Sequence, residues 1–178
     1  MKIITINGHA RAGKDSFVTY AAEFARVVSF STITMIKEVA TVLGWDGNKD
    51  EAGRQFLSDL KDAWSLYNDG PFQDIVAAVA ATIKKKGTDD FFVFVHVREP
   101  AEIQKFKDYF GKDCITLLIK RQMGSVPKNH ADQRVDDFPY DQTLLNNHTL
   151  QDLRNTARKF MQELTSNETM EIAEECGL

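Results

Sequence analysis

Cysteine is scarce in this chain: among 178 residues, Cys114 sits in an apolar run and Cys176 lies near the end, and there are no others. Two isolated cysteines supply neither a disulfide framework nor the paired spacing of a zinc site, and they suit reduced thiols in a cytosolic protein. Long apolar runs are missing too, since none reaches the ~18 residues of a membrane span. The opening MKIITINGHARAGKD lacks the long apolar stretch and small-residue cleavage site of a secretory leader, so a cytoplasmic protein with no membrane contact is expected. Positive charge is not in excess. The chain carries 22 Lys and Arg against 26 Asp and Glu, a formal net charge of −4. A surface that grips nucleic acid through its phosphates would be basic, so no nucleic-acid partner is expected, and any anion site must be built locally.

What remains is ordinary globular material, with 43% hydrophobic and 27% charged residues and no repeat or low-complexity segment. A chain of this length buries roughly 70% of the surface it exposes when unfolded, enough for a core without disulfide or metal. One domain over 1–178 is expected. KIITIN at 2–7, RVVSFS at 26–31, FFVFVHV at 91–97 and CITLLIK at 114–120 read as strands, with QTLLN at 142–146 as a shorter one. Helical spacing predicts helices over 15–25, 33–43, 52–66, 72–85, 100–110 and 150–164. Thr149 with Asp152 resembles an acidic capping box for the last of these. Residues 121–139 are charged and aperiodic, a loop or lid, and 165–178 carry no assignment. Strands separated by helices predict an α/β sandwich with a mainly parallel sheet of about five strands, whose ligands bind at the carboxyl ends.

The first strand runs straight into Gly8-His9-Ala10-Arg11-Ala12-Gly13-Lys14-Asp15-Ser16, and a helix follows. Glycine, four residues, glycine and lysine is the Walker A spacing in its strand–loop–helix context. The glycines let the loop curl so that backbone N–H groups, including those at Ala10, Arg11 and Ala12, turn toward phosphate oxygens, and the helix N-terminus adds partial positive charge. Lys14 supplies a point charge for the β and γ phosphates. Asp15 stands where the strict pattern has Ser or Thr for magnesium. It is expected to act on magnesium directly or through water, or to cap the loop, with Ser16 displaced by one position toward the α and β phosphates. Arg11 faces either the nucleotide or solvent.

GHARAGKDS, KDEAGRQFLSDLK, VHVREPAEI and HADQRVDDFPYDQTLLNN, in that order, resemble the P-loop nucleoside monophosphate kinases, and most nearly the deoxynucleoside monophosphate kinases of phages and bacteria. The resemblance spans about residues 1–165. It implies a P-loop NTPase-type three-layer sandwich with an acceptor-binding helical insertion at about 31–70 and a lid at about 121–139. It also implies phosphoryl transfer from ATP with Mg2+ to a nucleoside monophosphate, carried out by a monomer or homodimer. Such transfer asks for in-line positioning and positive charge more than covalent chemistry. On the resemblance, Lys14, Arg98, Arg121 and Arg134 are the catalytic cations. Ser31, Lys37, Arg54, His96 and Arg98 would take the acceptor, and Asp15 and Ser16 the metal. Asn147, with Asn146 and His148, would lie near adenine.

Each of these residues has a structural alternative. Arg98 could pair with its neighbour Glu99, and Arg121, Arg134 and Lys37 could be solvated surface charges. His96 stands where the resembling enzymes favour Asp; it could hydrogen-bond the acceptor phosphate or be a satisfied core histidine. Trp45, Trp64 and Tyr67 could frame a base or pack at helix ends, and the asparagines could serve a turn with good N-cap chemistry. Two other functions fit the phosphate loop: a kinase for another phosphorylated metabolite, of the dephospho-coenzyme A or phosphomevalonate type, and a catalytically weak nucleotide-binding protein.

Overall fold

The computed structural model describes residues 1–86, 91–122 and 134–175. Five strands, β1 (Lys2–Asn7), β2 (Arg26–Ser31), β3 (Phe91–His96), β4 (Cys114–Lys120) and β5 (Gln142–Leu145), form one sheet in the order β2-β3-β1-β4-β5. Every neighbouring pair is parallel, with Ile4 of β1 level with Phe94 of β3 and with Ile115 of β4. The six residues of β1 are all buried, which explains why Ile3, Ile4 and Ile6 face both sides of the sheet rather than alternating with exposed polar residues. Parallel strands need crossovers, and helices α1 (Lys14–Ala21), α2 (Thr34–Val42), α3 (Glu51–Asn68), α4 (Gly70–Lys86) and α5 (Pro100–Phe110) lie in those from β1 to β4, while α6 (Leu150–Glu175) follows the last strand.

The side-chain alternation of the strands splits the core into two layers. Ile4, Ile6, Phe92, Phe94, Leu117 and Ile119 face one way, against α1 and α6. Ile3, Val93, Val95 and Phe91 face the other way, against α4 and α5. Phe17 of α1 meets Phe94 and Phe160 edge to face, with ring centroids 6.3 and 5.6 Å away. Truncating such a buried ring costs on the order of 3–5 kcal/mol, so α1 is held firmly on the sheet. The result is a three-layer α/β fold of the P-loop NTPase type, with β1 and its following loop at the centre. A third, smaller cluster of Ile36, Ala40 and Leu57 joins α2 to α3.

Several elements differ from the sequence expectation. Helix α1 stops at Ala21 rather than continuing to 25, because the Glu23 and Phe24 amides bond three residues back and tighten the chain into β2. Helix α6 runs on to Glu175, beyond the expected end at 164. Its N-terminus carries the expected reciprocal cap: the Thr149 amide and hydroxyl both reach Asp152 Oδ2, while the Asp152 amide donates to Thr149 Oγ1. Most of the expected lid, 123–133, lies outside the described residues, as does Cys176.

Candidate functional site

The site grows from the end of β1. Asn7 is wholly buried there, and its side chain spends its hydrogen bonds on three neighbouring segments. Its Oδ1 accepts from the Gly8 amide at 2.8 Å, and its Nδ2 donates to the Arg98 carbonyl at 2.9 Å and to the Tyr140 hydroxyl at 2.7 Å. The Tyr140 hydroxyl in turn donates to the Val135 carbonyl at 2.8 Å. One asparagine thus ties the start of the loop to the chain after β3 and to the segment before β5. Sequence reasoning passed over it; the available signal was a polar residue closing an apolar strand.

The loop from Gly8 to Gly13 wraps tightly. A Cβ at Gly8 would strike the Ile119 carbonyl, and one at Gly13, where φ is 99°, would strike the Asn146 amide. Arg11 holds φ at 63°, an uncommon conformation for a residue with a long side chain, and one that the tight turn of the loop requires. Lys14 opens α1 and folds back over the loop, with its Nζ donating to the Gly8 carbonyl and, at 3.0 Å, to the His9 carbonyl. His9 Nε2 lies 3.2 Å from Asp136 Oδ2, and Lys120 Nζ donates to the other oxygen of that carboxylate at 2.9 Å. The Lys120 and His9 partners hold the Asp136 carboxyl below its ordinary value, against the opposing pull of partial burial.

On one side of the loop lies a cleft of about 250 Å³ between the start of α1 and the turn that joins β5 to α6. Arg11, Arg121, Asn146, Leu150 and Leu153 line it together with Lys14, Asp15 and Ser16. Asn146 Nδ2 donates to the Ala12 carbonyl at 2.8 Å and so fixes the cleft wall to the loop. Asn147, the residue expected there, instead accepts from the Gln122 amide at 2.8 Å, because it follows Asn146 around the turn and points back to the chain leaving β4.

The other side of the loop is cationic. Lys37, in the first turn of α2, has its pKa lowered by burial and then by the neighbouring charges of Lys49 and Arg98, with Asp15 opposing them. The charges of Lys49 and Arg98 thus both reach Lys37 from other segments of the chain. Lys49 was not among the expected site residues; it sits in a polar turn, where a lysine carries no distinguishing local pattern. Arg98 follows β3 by two residues, at the carboxyl edge of the sheet, and its Glu99 neighbour bonds Lys61 at 2.9 Å. His96 closes β3 on the α1 face, the same side as Phe92 and Phe94. Its Nδ1 is 3.6 Å from Asp15 Oδ1, whose carboxylate is otherwise 97% exposed. Burial pushes the His96 imidazole below its ordinary value; Asp15 pulls the other way and Lys14 reinforces burial. Ser31 is level with His96 across the β2–β3 pair.

Not every expected residue comes to the loop. Arg134 pairs with Asp137 three residues on, at 3.3 Å, in the turn before β5. Arg54 is exposed on the first turn of α3. Trp45 and Trp64 pack against the α2–α3 cluster, the Trp45 indole donating to the Asn48 carbonyl at 2.9 Å, and Tyr67 is 84% exposed. Packing, the alternative reading, accounts for both tryptophans. Among the described residues there is no cluster of three or more His, Cys, Asp or Glu side chains suited to hold a metal ion by themselves.

No protein-family model matches this chain, and neither does any curated protein. Solved structures do match it in shape. The Thermus thermophilus protein TT1252 aligns over 92% of this chain and 97% of its own, at 14% identity and a TM-score of 0.52. A candidate kinase from Chloroflexus aurantiacus aligns over 89% and 97%, at 12% identity and a TM-score of 0.49. A sugar kinase from a Janibacter species aligns over 91% and 95%, at 8% identity and a TM-score of 0.46. The likeness to the Thermus protein is one of fold, the two lower-scoring likenesses carry no functional weight, and the chain has a fold of the P-loop NTPase type.

Proposed function

We propose that this protein transfers the γ-phosphoryl group of ATP to a nucleoside or deoxynucleoside monophosphate, releasing ADP and the diphosphate. The observation that carries this reading is Lys37, in the first turn of α2, which feels the charges of Lys49 and Arg98 as well as that of Asp15 at the start of α1. Besides Asp15, the positive field at Lys37 suits a further anion. A phosphorylated acceptor supplies that anion and places its oxygen in line with the loop.

The residues around the loop suit a magnesium nucleotide. The Ala12 amide, expected to face phosphate, donates instead to the His9 carbonyl at 3.1 Å; the other loop N–H groups of 10–14 and the α1 N-terminus would hold the phosphates, and Lys14 would lie over the β and γ groups. Magnesium prefers oxygen ligands and keeps much of its water, so the Asp15 carboxylate and the Ser16 hydroxyl are the groups of this chain fit to face it. When bound, the ion neutralises charge that builds on the transferring group. Arg121 is placed for the base or phosphates of the donor, and Arg98 for the acceptor phosphate, which a guanidinium can hold through two parallel hydrogen bonds. His96, neutral through burial, would present one ring nitrogen to Asp15 and hold that carboxylate at the edge of the loop.

A coupled assay of ATP and magnesium with a panel of ribo- and deoxynucleoside monophosphates, dephospho-coenzyme A and phosphomevalonate tests this. Turnover confined to one or a few nucleotides is expected. Turnover of a non-nucleotide instead, or of none, would overturn it.

A further inference from the structure

The three cations of the acceptor side belong to two bodies. Lys37 and Lys49 ride on the α2–α3 hairpin, whose apolar cluster is separate from both faces of the sheet. Arg98 belongs to the sheet, with its carbonyl held by Asn7 at 2.9 Å. Like charges repel, so bringing the hairpin's lysines toward Arg98 is unfavourable unless something fastens the hairpin.

The fastening is a buried lysine. Lys61 of α3 is 8% exposed, and its ammonium donates to Glu99 Oε1 at 2.9 Å and to Glu102 Oε2 at 2.8 Å. Glu99 is the residue next to Arg98 and the N-cap of α5. Farther along the same helix pair, Lys105 Nζ donates to Asp69 Oδ1 at 2.6 Å, at the C-cap of α3. Glu99, Glu102 and Lys105 are spaced by three, so one stripe along the start of α5 meets both Lys61 of α3 and Asp69 at its C-cap. A lysine in a purely packing role would bury a Met or Leu there at lower desolvation cost. The charged form makes sense where direction and spacing matter, because an ammonium between two carboxylates fixes α3 against a single point of α5.

We propose that Lys61 is a positioning residue: through Glu99 it sets the separation between the hairpin's Lys37 and Lys49 and the sheet's Arg98, and so tunes acceptor-phosphate affinity without touching substrate. The inference rests on the phosphorylated-acceptor reading for its catalytic consequence, but the mechanical tie can be read without any substrate.

Lys61→Met would strand Glu102 in a buried place and is expected to lose stability, so it is not the deciding variant. Glu99→Ala is, since Lys61 keeps Glu102 and the fold is retained. Its melting temperature should stay close to wild type and its KM for ATP within twofold. Its KM for the accepted monophosphate should rise about 5- to 20-fold, less than the roughly 10- to 150-fold that loss of a charged contact to the phosphate itself would give. Amide exchange by mass spectrometry should speed up in segments 97–102 and 51–64 while β1 and β4 stay protected. Unchanged exchange in 97–102 overturns the tie, whether or not any monophosphate is turned over. Faster exchange with an unchanged monophosphate KM, in an enzyme active on monophosphates, overturns the link to affinity. A wild-type enzyme inactive on the whole panel condemns the proposed reaction instead, and the exchange result still decides the tie.

Discussion

Asn146, at the end of β5, donates from its side-chain amide to the carbonyl of Ala12 at 2.8 Å, directly over the position where Gly13 lacks a side chain. A strand edge late in the chain therefore shapes a loop near its beginning, across 134 residues of sequence. The loop can accept this contact because residue 13 is glycine with φ at 99°.

Gly13→Ala should damage the loop twice, by strain at a positive φ of about 1–2 kcal/mol and by displacing Asn146. Denaturant unfolding should show a drop of at least that size, and ATP titration a clear loss of affinity. Asn146→Ala should show the milder half, on the order of 1–3 kcal/mol from a buried carbonyl left without its donor. Full stability in both variants would mean the contact has no energetic role.

Lys14→Ala is expected to fold and to bind ATP about 10- to 150-fold more weakly, the equivalent of a charged hydrogen bond worth 1.5–3 kcal/mol. Calorimetric titration with ATP and magnesium measures it. Wild-type affinity in a folded variant would remove the nucleotide from this loop.

Arg98→Lys keeps the charge and loses the planar fork. ATP binding should be unaffected, while turnover with the monophosphate falls on the order of 10- to 1000-fold, or ~1.4–4 kcal/mol of transition-state stabilisation. Steady-state kinetics decide it, with a melting curve to show that the fold is intact.

Asp141 ties β4 to the chain entering β5. Its Oδ2 accepts from the Thr116 amide and hydroxyl, both at 2.9 Å, and its Oδ1 from Lys107 at 2.6 Å. Partial burial pushes its pKa up, but Lys107 and Thr116 outweigh that and hold it below the ordinary value. A depressed carboxyl pKa contributes stability that is complete above the unfolded value of about 3.9 and fades as pH falls through the folded one. Wild type should therefore lose more stability than Asp141→Asn on acidification from about pH 5 to below 4. Parallel slopes in melting curves taken across that range would rule the contribution out.

The sequence alone determined the local elements and the phosphate loop. A six-residue strand rich in isoleucine and ending at Asn7, two glycines with four residues between them and a helix opening at Lys14 are relations within a few turns of chain, where periodicity and backbone freedom act directly. Continuous runs such as FFVFVH at 91–96 announce strands buried on both faces. The tertiary structure alone decided what meets the loop. Which strands flank β1, here β3 on one side and β4 on the other, depends on which crossovers pack, and local pattern does not record that choice. That choice brings Arg98 to the carbonyl-binding side of Asn7 and turns His96 toward Asp15. It also selects Asn146 over Asn147, since one residue of turn reverses which side chain faces Ala12. Lys49 and Lys61 look like any other lysines in the sequence. One gains a role from the charges that share its field, the other from the two carboxylates that burial brings to it, and both arise only when distant segments pack together.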